Sequence, residues 1–241
     1  MTYKFEYMQK VEEMFNTIND SQAENIIKVA KMFKHNIIED RIIHFFGTGH
    51  SQMLGMEVFA RAGGLANVNL ILDSTMSLAN GAPRAGALEQ VSGLADIIYD
   101  QYQIKAGDIM VITSNSGRNA MPIEMAIRAK KEGVYTIGLS NLKQSKNTVS
   151  RHHSKKNLYQ LVDFNLDSCV PVGDSLMQID NVLTAPATSM ATMLIINTII
   201  NETLKMLAKE GYKLPVFQSQ NIDGYNNDEI YKKYKDRIKH Y

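Results

Sequence analysis

The sequence predicts a doubly wound α/β protein, a parallel five-stranded sheet with helices on both faces, and three observations predict it. Short apolar runs, rich in β-branched and aromatic residues, alternate with longer segments of helical periodicity. Glycines close the runs and the helical segments, where tight turns and helix C-caps need them. The spacing leaves room for a helix between successive runs, as parallel pairing requires, and right-handed crossovers then cover both faces.

Taken in order, residues 1–40 predict a helical hairpin. Its first helix, 4–18, carries Met8, Val11, Met14, Phe15 and Ile18 on one side. Its second carries Ile26, Ala30, Phe33 and Ile37, and Ser21 precedes Glu24 by three in the pattern of a capping box. Residues 41–214 form the α/β core, with strands at 41–46, 67–72, 108–113, 134–140 and 161–166. Helices are expected at 52–62, 119–132 and 187–210, and purposeful loops at 73–95, 141–157 and 168–188. The tail, 215–241, is polar through 218–227 and either folds over the site or stands free. The whole of 1–241 is expected to be one domain.

Composition removes several function classes. The chain has 241 residues, 44% hydrophobic and 21% charged, a profile of ordinary globular proteins. Its single cysteine, Cys169, allows no intramolecular disulfide and suits a reducing cytosol. Net charge is +1, so no global basic field serves nucleic acid. The longest apolar stretch, 190–200, is broken by Thr192, Asn197 and Thr198 and is too short to span a bilayer. With no signal-peptide core at its start, the chain reads as a cytoplasmic protein with no nucleic-acid or membrane partner.

Two loops carry the chemistry. After the first strand comes Gly47-Thr48-Gly49-His50-Ser51, and after the third comes Ser114-Asn115-Ser116-Gly117. Each precedes a helix. Glycine lets backbone amides approach an anion, the helix N-terminus favours its charge, and Ser and Thr hydroxyls add donors without adding charge. Serines also cap helices with no ligand present. Two such loops at equivalent strand ends favour the anion. The pattern is not GxGxxG, because Gln52 stands where the third glycine would, and no GxxxxGK[ST] occurs. A dinucleotide and a nucleoside triphosphate are thus disfavoured, and a monophosphate on a small molecule fits. No cofactor is expected.

At these residues the chain resembles the sugar isomerase (SIS) domain family, over roughly 8–214. The strings FGTGHS (46–51), RAGG (61–64), SNSG (114–117) and PVGD (171–174) carry the resemblance, and the helical N-terminus is similar to the phosphoheptose isomerase branch. The resemblance implies a sugar phosphate held by Ser51, Ser114, Ser116 and Asn119, where relatives often have Ser or Thr in place of Asn119. It also implies closure of the site by TAPATS (184–189), with Thr188 and Ser189 as ligand contacts or as ordinary helix caps. Family members place their sites near subunit interfaces, so a homodimer or homotetramer is expected.

The implied activity is an aldose–ketose isomerase or a related sugar-phosphate lyase or etherase. The alternative is a non-catalytic phosphosugar-sensing module. An isomerase needs a base that moves a proton between adjacent carbons and a donor to the neighbouring oxygen. Glu57 is the first candidate base; it stands four residues from Arg61, which also suits a solvated ion pair. Phosphoheptose isomerases and muramic acid phosphate etherases carry a catalytic glutamate further along this helix, where this chain has Arg61. Glu89, in the long second loop region, is the other candidate base, and His50 would assist at oxygen. Asp73, Asp174 and Asp223 are weaker loop carboxylates. The basic run 151–156 is either a solvated loop or a clamp at the site mouth. Its paired His152 and His153 are not expected to hold a metal, since sequence neighbours chelate one ion poorly and no Cys or carboxylate stands near them at ligand spacing.

Overall fold

Five parallel strands form the central sheet of the computed structural model, which describes residues 4–241. They are β1 (Ile43–Gly47), β2 (Val68–Ile71), β3 (Ile109–Thr113), β4 (Tyr135–Ser140) and β5 (Phe164–Asp167), in the order β2-β1-β3-β4-β5. This is the expected doubly wound sheet, with its reversal of strand order between β1 and β3. In register, Ile43 faces Ile109 and Gly47 faces Thr113.

Alternation along the strands divides the core into two layers. Ile43 and Phe45, Ile109 and Val111, and Ile137 and Leu139 pack under α1 (Glu6–Ile38), α2 (Gln52–Val58) and α7 (Thr188–Lys209). Phe46, Ile71, Met110 and Ile112 pack on the opposite face, under α4 (Leu94–Tyr99) and α5 (Ala120–Lys131). In sequence α3 (Ala82–Leu88) lies between α2 and α4, and α6 (Leu142–Lys146) between α5 and α7.

The predicted N-terminal hairpin is instead one continuous helix, α1, of 33 residues. Met14, Ile18, Gln22, Ile26, Ala30, Phe33 and Ile37 form one unbroken buried stripe at spacings of three and four. No Gly or Pro interrupts it. Ser21 caps nothing: its hydroxyl donates to the Thr17 carbonyl one turn back, at 2.7 Å. The polar run Asn19-Asp20-Ser21 resembles a break in sequence but only marks the wet face of the helix.

Three further expectations are corrected. Helix α2 stops at Val58 rather than continuing to residue 62, because Phe59 is extended (ψ 128°) and Ala60 has φ 48°. Residues 168–188 contain an antiparallel pair, β6 (Ser175–Ile179) and β7 (Val182–Pro186), where a loop is expected. The tail does not fold over the two loops. Phe217, Tyr234 and Ile238, the last two in or beside α8 (Asp228–Tyr234), bury against Ile42 and Ala66. Backbone bonds Gly63 N to Phe217 O and Ala66 N to Pro215 O, at 2.9 and 2.8 Å, bind the tail along the β2 edge.

Under the sheet's amino end lies a fully buried polar group. His44 is 0% exposed. Asn69 Nδ2 lies 3.1 Å from its Nδ1, which with Asn69 donating leaves the ring proton on Nε2, 3.0 Å from Asp108 Oδ2. Asp108 also accepts the amides of Ile42 and Lys105, at 3.1 and 3.0 Å. One carboxylate thus ties the entries of β1, β2 and β3. Burial alone would push the Asp108 carboxyl up, but the bonds from His44, Ile42 and Lys105 outweigh it and hold it below the usual carboxylate range.

Candidate functional site

The two loops predicted to bind an anion lie side by side. Gly47 and Thr113 are register partners on adjacent strands, so the loops leave the sheet about 4.8 Å apart. They leave at the carboxyl ends of β1 and β3, on either side of the reversal in strand order, where open α/β sheets bind ligands.

The first loop is a close wrap. Thr48 is buried, the Ser51 amide donates to the Thr48 carbonyl at 3.0 Å, and residues 49–51 form a single 3₁₀ turn before α2. A Cβ on Gly47 would lie 2.5 Å from the Ser51 carbonyl oxygen and 2.6 Å from its carbon. Both are backbone atoms, so any side chain at Gly47 displaces the turn. Gly47→Ala should therefore cost about 2 kcal/mol, the scale of an overpacked site, and lower the melting temperature by roughly 4–8 °C. Calorimetry of the two proteins checks this, and an unchanged transition would refute the close wrap. His50 is exposed at the tip and Ser51 is half-buried.

The second loop is fixed from behind. Ser114 Oγ accepts the Gly117 amide at 3.2 Å, which leaves the hydroxyl proton free to donate outward. Gly117 has φ 61° and its carbonyl accepts Leu158 N at 2.8 Å. The Asn115 carbonyl accepts Asn141 N at 3.0 Å, and Asn141, itself fully buried, holds Val170 O at 2.7 Å. Asn119 starts α5 without a side-chain cap; its Oδ1 accepts from Arg151 at 3.1 Å instead. Among the described residues, no protein group bonds the hydroxyls of Ser51 and Ser116 or the amides of Ser116 and Asn119. The loops are thus built, supported, and left with open donors.

The remaining predicted residues divide. Glu89 comes to the second loop: its carbonyl accepts Met121 N in the first turn of α5 at 3.1 Å. Glu57 lies six residues along from Ser51, roughly 9 Å of helix rise. Its Oε1 accepts Asn197 Nδ2 from α7 at 3.0 Å and pairs with Arg61, which reaches back from beyond the helix end. Glu57, Arg61, Asn197 and Ile200 line a cavity of about 250 Å³. The Thr188 hydroxyl and amide are both taken by Asp174, whose carboxylate also accepts Ala187 N at 3.1 Å and so caps α7. Ser189 lies nearer the first loop, its Oγ 4.0 Å from Met53 Sδ on α2. Asp73 caps a turn by accepting Thr75 N at 2.8 Å.

Sequence reasoning passed over Arg118, which directly follows the second loop. Its Nε is buried with no hydrogen-bond partner. The SNSG string ends one residue before it, and a lone arginine after a loop carried no signal of its own. A larger cavity, about 540 Å³, lies between α8 and residues 212–216. It is lined by Ile37 and Ala66, which precede β1 and β2, so it sits at the amino end of the sheet, opposite the loops.

Fold and loops together define an α/β protein with two hydroxyl-rich, glycine-containing turns at the crossover of its strand order. The SIS domain family model matches residues 6–141, more than half of the chain, and the chain belongs to that family. It is 34% identical to the UPF0309 protein TTE0306 of Caldanaerobacter subterraneus subsp. tengcongensis, over 97% of this chain and 98% of that one. Among solved structures it is similar to phosphoheptose isomerase GmhA from Neisseria gonorrhoeae, with TM-score 0.56 and 14% identity, covering 82% of this chain and 94% of that one. It is also similar to the Vibrio vulnificus NanR protein complexed with ManNAc-6P, with TM-score 0.51 and 16% identity, over 85% of this chain and 61% of that one. These identities carry the fold alone. Among the described residues no helix is long and apolar enough to cross a membrane.

Proposed function

We propose that the chain binds a sugar phosphate, its phosphate held between the two loops by Thr48, Ser51, Ser114, Ser116 and open backbone amides, and that it turns this ligand over. The observation that carries the reading is the pair of supported loops with unpartnered donors at the β1/β3 crossover. Arg118 would add a full positive charge at the second loop, beside that of Arg151. The reaction is an aldose–ketose isomerisation or a related lyase or etherase step, with Glu57 or Glu89 moving the proton and His50 assisting at oxygen. Orientation by the loops would supply much of the rate. Assembly as a homodimer or homotetramer belongs to the same reading.

A second reading is a sensor that binds without turnover. The ties of Glu57 to Arg61 and Asn197 favour it, since a carboxylate already engaged on two sides is less available as a base. The ManNAc-6P in the similar NanR structure fits either reading.

A thermal-shift panel of pentose, hexose, heptose and amino-sugar phosphates, each beside its free sugar, tests the binding. A ligand of the native state alone must raise its stability. For the sugar phosphate that responds, Ser116→Ala should weaken binding by about 2 kcal/mol, roughly 30-fold, as expected for one hydrogen bond to a charged group. Equal affinity in the variant would take Ser116 out of the site.

A further inference from the structure

Behind the second loop, the fold assembles three groups that sequence spacing keeps apart. Glu124, on α5, lies against His152 and His153, and one ligand atom from each falls within 4.8 Å of the others. His152 is 2% exposed. Its Nε2 stands 3.3 Å from Glu124 Oε1, yet forms no hydrogen bond of acceptable alignment, so it is a buried polar atom without a partner. Such atoms are rare in folded proteins and call for an explanation.

Everything around these groups holds them in place. His152 Nδ1 lies 2.8 Å from Ser154 Oγ and 3.3 Å from the Ser154 amide, which donates to it; a metal on Nε2 requires the other tautomer, with Nδ1 donating to Ser154 Oγ. The other oxygen of Glu124 accepts Gly93 N at 2.7 Å. The His153 ring lies against His152 tilted by 48°, centroids 3.8 Å apart, and is itself exposed.

We propose that Glu124 Oε1, His152 Nε2 and His153 bind one divalent transition-metal ion, with zinc as the ion tested. Two imidazoles and one carboxylate are a three-ligand zinc set, with a fourth position left to water on the exposed side. Zinc bonds of about 2.1 Å place tetrahedral ligands ~3.4 Å apart. The Glu124–His152 separation of 3.3 Å already has that value. A rotation of the exposed His153 closes the rest. Ser154 and Gly93 then serve as the outer groups that orient ligands. The ion would fasten the 150–158 segment to α5. That segment supports the second loop through Arg151 to Asn119, and Leu158 N to Gly117 O.

The test is equilibrium dialysis of the EDTA-treated full chain against zinc chloride, with bound metal counted by mass spectrometry. The expected result is one zinc per chain, with affinity lowered at least tenfold in Glu124→Gln and in His153→Ala, and about tenfold in Ser154→Ala. His35→Ala, on the exposed face of α1, should bind as the parent does. His153 is exposed, so its variant should keep the parent's melting temperature in EDTA. Absence of micromolar zinc binding, or full retention in both ligand variants, overturns the site. Cobalt(II) loading of the unaltered protein gives a check that needs no variant: intense visible bands of a tetrahedral ion support it, and weak octahedral bands overturn it.

Discussion

Glu57→Gln should lower kcat on the responding sugar phosphate by about 10²–10⁴-fold, the usual contribution of a general base, with binding changed only a few-fold. The amide keeps the shape and can still meet Asn197 and Arg61, so packing in the 250 Å³ cavity is preserved. Proton exchange at the carbon adjacent to the carbonyl, followed by NMR in deuterated water, reads the step directly. A fully active variant would move the base to Glu89, which stands beside the α5 N-terminus. Binding without exchange in the unaltered protein would establish the sensor reading instead. The two hypotheses thus separate on one substrate and one variant.

Asp108→Ala should destabilise the fold by about 3 kcal/mol, by stranding His44 and two buried amides at once. For a chain of this size that is roughly 6–12 °C in melting temperature. The effect must also depend on pH. The folded Asp108 carboxyl lies below its unfolded value, so its contribution is complete above the ordinary carboxylate range. It is lost as pH falls through the folded value. Urea unfolding of both proteins from neutral to acid pH should show the gap narrowing only below about pH 4. A gap that stays constant to the most acid pH at which the protein folds would mean the carboxylate charge contributes nothing.

The strands and both loops were legible because their signals are local. Residues 41–47 and 108–113 are apolar runs closed by turn residues, and register then places Gly47 beside Thr113. The continuity of α1 was not legible at Ser21, since a serine three before a glutamate reads alike as a cap and as a wet-face pair. The β6–β7 hairpin had a usable signal in Asp180-Asn181, a two-residue turn with φ 53° at Asp180. None of its strand residues is buried, so apolar patterning was weak. The meeting of Glu124 with His152 could not be read at all. Twenty-eight positions separate them, and only the packing of the 150–158 segment on α5 joins them.

The long first helix has a consequence for synthesis. Its buried stripe rests on α7, with Thr203 Oγ1 donating to the Ala30 carbonyl at 3.2 Å across the pair. Helix α1 leaves the ribosome before α7, with about 170 residues between the contacting positions Ala30 and Thr203. At ordinary elongation rates that is a delay of roughly 10–30 s. For that interval Ile26, Phe33 and Ile37 lack the part of their native cover that α7 supplies. The nascent chain must keep this apolar stripe from premature association until α7 emerges, which makes α1 the natural contact for a ribosome-bound chaperone.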